Sequence, residues 1–475
     1  MDYDLVVIGG GLAGLSAANR AAELGLRPVV LERGEDELYP CNSRYAGGLV
    51  HLAFKDMQAG ADEIHAAIER STGGLTEAAL THLLADEAER SLAWLRGQGA
   101  RFIKAGPYEW MRWVLAPPRP RTPGLEWKGR GPDMLLRALA GNLAKRQGRL
   151  LRGAAAGEIL RRDGRIVGVS ATQNGASVRF DAPAVVIADG GFQGNAELVA
   201  RYISPRADAL FQRGAGTGMG DGIRMAEALG ARLSGMNRFY GHLLGREVFG
   251  NEKLWPYPIL DHLASAGVLV DAAGRRFCDE GIGGVYMANE AATLDDPRGI
   301  TVVFDEESWA TVGADNRFPP TPNDSFTRAG GTVHAADALD ALAAKVGLPA
   351  EALAETVAAH NDAVAADGYA ALTPARSNAR KTAKPIRTAP FRAVQACAGI
   401  TYTMGGIAID IHARVLTEGG EPIPGLYAAG SATGGAEGGP RAGYIGGLSK
   451  AVITGLAAAE HAAAARSYRP PPKEP

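Results

Sequence analysis

Three glycines near the start of the chain have the spacing of a phosphate-binding turn. Gly9, Gly11 and Gly14 give the pattern Gly-x-Gly-x-x-Gly directly after an apolar run at residues 5–8. The first glycine permits a tight turn, the second lets backbone approach a pyrophosphate, and the third lets a helix pack closely on a strand. Glu32, 18 residues after Gly14, can accept hydrogen bonds from a ribose diol. This spacing predicts a dinucleotide site.

The elements that position these residues follow from the apolar pattern. Residues 5–8 predict a buried parallel strand, residues 15–24 a helix that Gly25 stops, and residues 29–31 a second buried strand. The start of that helix directs unpaired N–H groups and the positive end of the helix dipole at the phosphates. The same stretch therefore supplies both the turn and the charge that a dinucleotide requires.

Length and composition exclude several classes of protein. A chain of 475 residues predicts two domains. Its net charge of -2 and its lack of a basic run argue against nucleic-acid binding. The three cysteines are far apart and have no metal-ligand spacing, so no metal is expected. Because no basic leader and no apolar run of spanning length is found, we expect a cytoplasmic protein without a transmembrane segment.

Later segments predict a small antiparallel sheet and an inserted domain. Residues 154–162, 165–172 and 177–180 alternate like strands, with a hairpin turn at residues 163–164. Residues 64–99 predict two helices. From about residue 233 the segments become shorter, and Gly, Pro and aromatic residues are interspersed. The predicted division is a nucleotide domain at 1–232 and 386–475, with a second domain inserted at 233–385.

A proline-rich stretch at residues 116–123 predicts a shaped loop, because proline cannot continue regular structure. Tyr108 and the tryptophans at 94, 110, 113 and 127 cluster around it. These aromatic residues either wall a pocket or form a small core under the loop.

Five further segments carry a resemblance to a known family. They are Val-Ile-Ala-Asp-Gly-Gly-Phe-Gln-Gly-Asn at 186–195, Thr-Gly-Met-Gly-Asp-Gly at 217–222, Gly-Arg-Arg-Phe-Cys-Asp-Glu at 274–280, Thr-Met-Gly-Gly at 403–406 and Ile-Pro-Gly-Leu-Tyr-Ala-Ala-Gly at 423–430. With the N-terminal glycines they resemble the flavoprotein family of soluble fumarate reductases and 3-ketosteroid Δ1-dehydrogenases, over nearly the whole chain. The resemblance implies an α/β fold, with a Rossmann-like FAD-binding domain and an inserted α+β cap (substrate) domain.

The resemblance also implies FAD as the cofactor. Members with histidyl-linked flavin carry a histidine that would fall in residues 42–48, and this chain has none there, so non-covalent FAD is expected. A helix that opens near residue 447 would aim N–H groups at the flavin's pyrimidine oxygen and favour hydride uptake at N5. The residues that the resemblance places on FAD are Gly9, Gly11, Gly14, Glu32, Arg33, Asn42, Ser43, Gly47, Gly48, Ala155, Asp189, Gly190, Asp221, Gly430, Leu448 and Ser449.

The family reaction removes or adds two hydrogens across a carbon–carbon bond next to a carbonyl. By resemblance, Arg441 matches the stretch whose arginine holds a substrate carboxylate in fumarate reductases, and its rigid fork fits that group. His242 lies where the reductases have a substrate-binding histidine. A structural arginine and a core histidine are the competing interpretations.

The chain departs from the reductases at their proton donor. The arginine expected about seven residues after Phe277 is replaced by Gly284, and the histidine before Thr-Met-Gly-Gly is replaced by Tyr402. A phenol is a poor base in water, but a neighbour such as Arg441 could stabilise its anion. The candidate bases are Tyr286, Tyr402 and Tyr108, each of which could also be an ordinary core aromatic.

These expectations combine into an FAD-dependent desaturase. It would introduce a double bond α,β to the ketone of a small keto acid such as 4-oxocyclohexanecarboxylate. Arg441 would hold the carboxylate, and backbone N–H groups near Gly405 and Gly406 or Gly446 would polarise the ketone. A tyrosine would remove the α-proton, and FAD would take the β-hydride.

Three alternatives stay open. A tricarballylate dehydrogenase-like enzyme would oxidise a polycarboxylate, with extra arginines at 119, 121 and 130. A fumarate or enoate reductase would run in the opposite direction. A flavin subunit of an electron-transfer complex would pass electrons to an iron–sulfur partner. The electron acceptor, whether oxygen, a quinone or such a partner, is also open.

Overall fold

A six-stranded sheet carries the nucleotide motif in the computed structural model, which describes residues 2–120, 122–314, 321–377 and 382–467. Its strands are β1 (Leu5–Ile8), β2 (Pro28–Glu32), β5 (Arg149–Arg152), β9 (Val185–Ile187), β18 (Arg414–Leu416) and β19 (Pro422–Ala428). Their order is β18-β19-β9-β1-β2-β5, and every pair is parallel except β18 with β19. β1 is buried at every position, as its apolar run predicts.

A second sheet is built around one long strand. Its strands are β10 (Phe211–Gln212), β12 (Phe239–Gly245), β13 (Val268–Val270), β14 (Ile300–Phe304), β15 (His334–Ala336) and β16 (Phe391–Thr403). β16 pairs with β10, β12, β14 and β15. The sheet extends slightly beyond the predicted inserted domain, since β10 precedes residue 233 and β16 follows residue 386. The domain boundaries themselves stay a prediction.

Three smaller sheets complete the strands. They contain β3 (Phe102–Ile103) with β4 (Val114–Leu115), β6 (Ala154–Arg162) with β7 (Arg165–Gln173) and β8 (Ala176–Asp181), and β11 (Leu233–Ser234) with β17 (Gly406–Ile407). The antiparallel sheet β6-β7-β8 confirms the three strands that the alternating sequence pattern predicts. Asp163 and Gly164 both have positive φ in its first turn, which suits this dipeptide.

The helices cover both large sheets and supply several walls of the site. They are α1 (Leu12–Glu23), α2 (Asn42–Tyr45), α3 (Ala61–Thr72), α4 (Ala78–Asp86), α5 (Ala88–Gly97), α6 (Gly131–Lys145), α7 (Ala196–Tyr202), α8 (Asp221–Glu227), α9 (Asp261–Ala266), α10 (Gly284–Ala292), α11 (Glu306–Ser308), α12 (Asn323–Arg328), α13 (Leu339–Val346), α14 (Ala350–Ala366) and α15 (Gly447–Ser467). Residues 64–99 therefore contain parts of three helices where two were predicted. The predicted α/β architecture with an inserted α+β part is confirmed.

Candidate active site

A cavity of about 930 Å³ is lined by both the nucleotide motif and the second sheet. Gly9 and Gly11 belong to its wall, and so do Tyr240 and His242 of β12 and Tyr402 of β16. The first residues of α10 and α15 line it as well. The dinucleotide motif and the polar residues of the second sheet therefore face the same space.

The glycines of the motif differ in what surrounds them. Gly9 has a φ of +102°, a left-handed conformation that favours glycine. A side-chain carbon on residue 14 would lie 2.0 Å from the carbonyl oxygen of Gly9, so α1 and the turn are in close contact. A side-chain carbon on Gly11 would meet only Ser43 Oγ, at 3.4 Å. Gly14 thus serves packing, whereas Gly11 leaves open space on the cavity side.

Glu32 ends β2 as predicted and lines the cavity. Its Oε2 accepts a hydrogen bond from the Gly10 N–H at 2.8 Å, and its Oε1 accepts one from the Gly34 N–H at 2.8 Å. The carboxylate is thereby fixed in orientation at the end of the strand. Arg33 pairs with Asp221 of α8 at 2.5 Å, and both residues also line the cavity.

Tyr402 is held as a hydrogen-bond donor. Its hydroxyl donates to Glu437 Oε1 at 2.7 Å, and Lys450 Nζ donates to Glu437 Oε2 at 2.5 Å. All three residues are buried. Burial and the negative charge of Glu437 raise the pKa of Tyr402 well above its ordinary value. The Tyr402 hydroxyl is therefore protonated and donates its hydrogen bond to a carboxylate, and a role as base stays a prediction.

The other two candidate bases both line the cavity. Tyr286 lies on the first turn of α10 and is half-buried, and burial followed by the charge of Glu290 raises its pKa to about 12. Tyr108 is 52% exposed and stacks on Trp110, which also lines the cavity. Trp94 and Trp113 pack on the core instead. The aromatic cluster therefore forms both a pocket wall and part of a core.

The glycines predicted to polarise a ketone do not line the cavity. A side-chain carbon on Gly405, Gly406 or Gly446 would lie within 2.3 Å of a backbone carbonyl oxygen, because other segments pack directly against them. Their role stays a prediction. The neighbouring Gly447 begins α15 and lines the cavity, and its N–H group faces the hydroxyl oxygen of Tyr444.

Five arginines line the cavity, Arg33, Arg70, Arg119, Arg213 and Arg441, and the last three are described here. The exposed Arg441 lines it and makes no ion pair within the described ranges. The buried Arg213 donates to Thr401 Oγ1 at 2.8 Å and to the Pro256 carbonyl at 3.0 Å, and its Nε has no partner. Arg119 donates to two backbone carbonyls of α2 and its C-terminus. Burial and the charge of Arg213 lower the pKa of Arg119. Arg121 lies outside the described residues.

His242 bridges a carboxylate and a phenol. Its Nδ1 lies 2.6 Å from Asp261 Oδ2, and its Nε2 lies 3.0 Å from the Tyr240 hydroxyl. Asp261 Oδ1 accepts from the Leu243 N–H at 2.9 Å. Burial lowers the pKa of His242, although Asp261 opposes this shift. Both ring nitrogens therefore have partners within the protein although His242 lines the cavity, and its substrate-binding role stays a prediction.

Gly284 makes room for Asp261. A side-chain carbon on residue 284 would lie 1.7 Å from Asp261 Oδ2. The position at which the resemblance expects an arginine is therefore filled by the carboxylate that contacts His242.

Sequence reasoning missed Tyr240, Asp261, Tyr444 and His51, which all line the cavity. Tyr240 stands two residues before His242 on a strand, and this spacing was a usable signal because alternate residues share a face. Asp261 lies 19 residues from His242 and gave no such signal. Tyr444 stacks on Tyr240 with ring centroids 4.1 Å apart.

Comparison with known proteins identifies the family. The model of the FAD binding domain family matches residues 4–445. The chain belongs to this family. FAD is therefore its cofactor, and the protein is an FAD-dependent oxidoreductase.

Several individual proteins are similar to this family member. An NADH:acrylate oxidoreductase of Vibrio harveyi is 28% identical over 77% of this chain, which spans 35% of that relative. A 4-oxocyclohex-2-ene-1-carboxylate 5-dehydrogenase of Sinomonas cyclohexanicum is 30% identical over 60% of this chain and 51% of its own length. A solved 3-ketosteroid-Δ4-(5α)-dehydrogenase of Rhodococcus jostii RHA1 shares the fold, with a TM-score of 0.74 and 23% identity over 97% of this chain and 96% of that chain.

The cavity fits the cofactor of this family. Asp189 Oδ1 is buried without a partner, and burial raises the pKa of Asp189 to about 6, so this group lacks a hydrogen bond that a ligand could supply. The predicted contacts that line the cavity are Gly9, Gly11, Glu32, Arg33, Asn42, Ser43, Gly47, Gly48, Ala155, Asp189, Gly190, Asp221, Gly430 and Leu448. Gly14 packs beneath the turn, and Ser449 Oγ donates to the His51 carbonyl at 2.8 Å. Non-covalent attachment stays a prediction.

Among the residues that the structure describes, no three His, Cys, Asp or Glu side chains form a group suited to a metal ion. In the same part of the chain, no helix is long and apolar enough to cross a membrane.

Proposed function

We propose that this FAD-dependent oxidoreductase is a desaturase acting on a CH–CH group. It introduces a double bond α,β to the ketone of a small keto acid such as 4-oxocyclohexanecarboxylate. The Sinomonas relative, whose name specifies a cyclic keto acid and a dehydrogenation, supports this class of substrate. When bound, FAD supplies the two-electron oxidant that accepts a hydride.

One observation supports desaturation, rather than reduction, as the direction of the reaction. The position of the reductase proton donor is Gly284, and Asp261 fills its side-chain space. Asp261 contacts a histidine whose other nitrogen faces a phenol. A neutral imidazole beside a carboxylate can accept a proton, which desaturation requires. A guanidinium donor, which reduction would use, is absent from this position.

The positive wall supports a carboxylate on the substrate. Arg213 and Arg119 donate only to neutral oxygens, and Arg441 has no ion-pair partner among the described residues. A guanidinium fork matches the two oxygens of a carboxylate. We assign Arg441 as the group that binds it, because its side chain is uncommitted.

The start of α15 supports polarisation of the ketone. The Gly447 N–H group has no partner inside α15, lies at the positive end of the helix dipole and faces the hydroxyl oxygen of Tyr444. A carbonyl oxygen placed there gains stabilisation as negative charge develops during α-proton removal. Tyr444, three residues earlier, lines the same region and can add a hydroxyl donor.

An anaerobic titration tests the proposal. The oxidised holoenzyme is mixed with 4-oxocyclohexanecarboxylate while the visible flavin band is followed. We expect bleaching, with the cyclohexenone product detected by mass spectrometry. Cyclohexanecarboxylate, which lacks the ketone, is the matched control and should leave the band unchanged.

A reductase is the second candidate, favoured by the Vibrio harveyi relative, whose name specifies acrylate. A reductase would give the reverse of the result expected from the titration. If the keto acid leaves the flavin oxidised, and acrylate or fumarate reoxidises dithionite-reduced enzyme, the direction assigned above is wrong and Arg441 belongs to an enoate site.

A further inference from the structure

We propose that Tyr240, His242 and Asp261 form a proton relay that removes the substrate α-proton, an inference that rests on the proposed function. Tyr240 is the residue that meets the substrate, because it lines the cavity beside Tyr402 and Tyr444. His242 and Asp261 are positioning residues that act through it.

Local backbone geometry brings the phenol and the imidazole together. Both residues lie on β12, and the pairing of β12 with β16 shifts register between Tyr240 and Gly241. Because alternate residues of a strand share a face, Tyr240 and His242 are neighbours on β12, and the Tyr240 hydroxyl lies 3.0 Å from His242 Nε2. The extra residue of the bulge is on β16, since Tyr240 pairs with Tyr402 and Gly241 with Ile400. A side-chain carbon at residue 241 would lie 2.1 Å from the Gly399 carbonyl oxygen, so the two strands approach closely at this glycine.

The contacts fix the direction of proton transfer. Asp261 accepts the Nδ1–H of His242 at 2.6 Å, which leaves Nε2 as an acceptor for the Tyr240 hydroxyl. As the substrate Cα–H bond breaks, its proton moves to the Tyr240 oxygen and the phenol's own proton moves to His242 Nε2. The C–H electron pair forms the enolate. The resulting imidazolium lies beside the Asp261 carboxylate. Bound FAD would supply the two-electron acceptor for the β-hydrogen and its electron pair.

The relay explains how a phenol with a high intrinsic pKa can serve as a base. Burial raises the pKa of Tyr240 above its ordinary value, so a free phenolate is not populated. Transfer to His242 in the same step avoids that anion. The Tyr402 hydroxyl also donates to an acceptor, Glu437, but that carboxylate is already the counter-ion of the buried Lys450. Tyr286 has no hydrogen-bonded acceptor among the described residues.

The decisive variants are Tyr240→Phe and His242→Gln, measured by anaerobic stopped flow with 4-oxocyclohexanecarboxylate. We expect flavin reduction to slow by roughly 10²- to 10⁴-fold in each, with FAD content unchanged. The Tyr427→Phe variant is the matched control, because the Tyr427 hydroxyl also contacts a histidine, His461 Nδ1 at 2.9 Å, but does not line the cavity. It should keep the wild-type rate. A Tyr240→Phe enzyme that also keeps this rate overturns the relay, as does a large loss confined to Tyr286→Phe.

A second measurement does not depend on turnover. Long-range ¹H–¹⁵N NMR of histidine-labelled holoenzyme, with the signal assigned by its loss in His242→Gln, reports which ring nitrogen carries the proton. We expect Nδ1–H, and a proton on Nε2 overturns the relay. In Asp261→Asn the pKa of His242 should fall, since Asp261 raises it, whereas an unchanged value would remove Asp261 from the relay. The groups facing the pair, which must be considered in this titration, are Asp261, His262, Arg213, Tyr257, Tyr402, Tyr444 and Glu437.

Failure of the relay and failure of the proposed function are separable. If the wild-type flavin does not bleach, the proposed substrate is wrong, and the NMR tautomer still decides the relay. If the wild type bleaches and Tyr240→Phe bleaches equally fast, only the relay is wrong.

Discussion

A side-chain carbon on residue 284 would lie 1.7 Å from Oδ2 of Asp261, so these two residues share one space in the fold. Any residue other than glycine must displace the carboxylate that orients His242. The site therefore requires glycine at position 284, although this residue belongs neither to the nucleotide motif nor to the arginines of the cavity wall.

The first prediction concerns Gly284→Ala. The new methyl group should push Asp261 away from His242 and slow flavin reduction by the keto acid roughly 10- to 100-fold, because about 1 Å of misplacement can have an effect of this size. Gly141→Ala is the control, since a side-chain carbon there, also within a helix, meets nothing within 4 Å. Equal rates in both variants would contradict the shared-space interpretation. The rates are compared by anaerobic stopped flow.

The second prediction separates two glycines of the turn. Gly14→Ala should destabilise the FAD-free protein, since the new carbon would lie 2.0 Å from the Gly9 carbonyl oxygen. Gly11→Ala should leave the FAD-free protein as stable as wild type but weaken FAD binding, because open space lies in front of it. Thermal unfolding of the FAD-free proteins and titration with FAD give the two readings. Destabilisation by both variants alike would refute the division of roles.

The third prediction concerns the substrate carboxylate. Arg441→Gln should raise the Kd of 4-oxocyclohexanecarboxylate roughly 10- to 100-fold, the range for losing a hydrogen bond between charged groups. The Kd of cyclohexanone, the same ring without the carboxylate, should stay the same. Binding is followed by the change in the flavin spectrum. If Arg213→Gln gives this pattern and Arg441→Gln does not, the carboxylate lies at the buried arginine.

The fourth prediction tests the buried Glu437 cluster. Lys450→Met leaves the Glu437 carboxylate with only the Tyr402 hydroxyl and the Ile445 N–H as partners. The free energy of unfolding should fall by about 3–5 kcal/mol, because a buried charge loses its counter-ion. Lys55→Met is the control. Lys55 pairs with Glu63 and Glu109 nearer the surface, and its loss should change stability by less than about 1 kcal/mol. Urea unfolding measures both variants, and equal effects would contradict the prediction.

The fifth prediction follows from His51. Burial lowers its pKa to about 4, so the folded protein resists protonating this residue while the unfolded chain does not. Its contribution to stability is complete above pH 6.5 and is lost as the pH falls from 6.5 towards 4, by about 3 kcal/mol. In His51→Gln, the difference in unfolding free energy from wild type should change over that window. Urea unfolding across the pH range provides the measurement.

The sequence by itself determined the nucleotide half of the site. β1, the Gly-x-Gly-x-x-Gly turn, α1 and Glu32 lie where the spacing predicts, because turn chemistry and strand periodicity are local properties. The family motifs likewise sufficed to identify FAD and the two-part α/β fold.

Only the tertiary structure decided the partners of the polar residues. The sequence offers Tyr402 as a candidate base, and only the structure places Glu437, 35 residues away, at its hydroxyl. The sequence offers His242 as a candidate substrate ligand, and only the structure places Asp261 and Tyr240 at its two ring nitrogens. The hydrogen-bond role of a phenol depends on which group from elsewhere in the chain contacts it in the folded protein. Burial and packing between separate elements set that contact, and no local pattern records it.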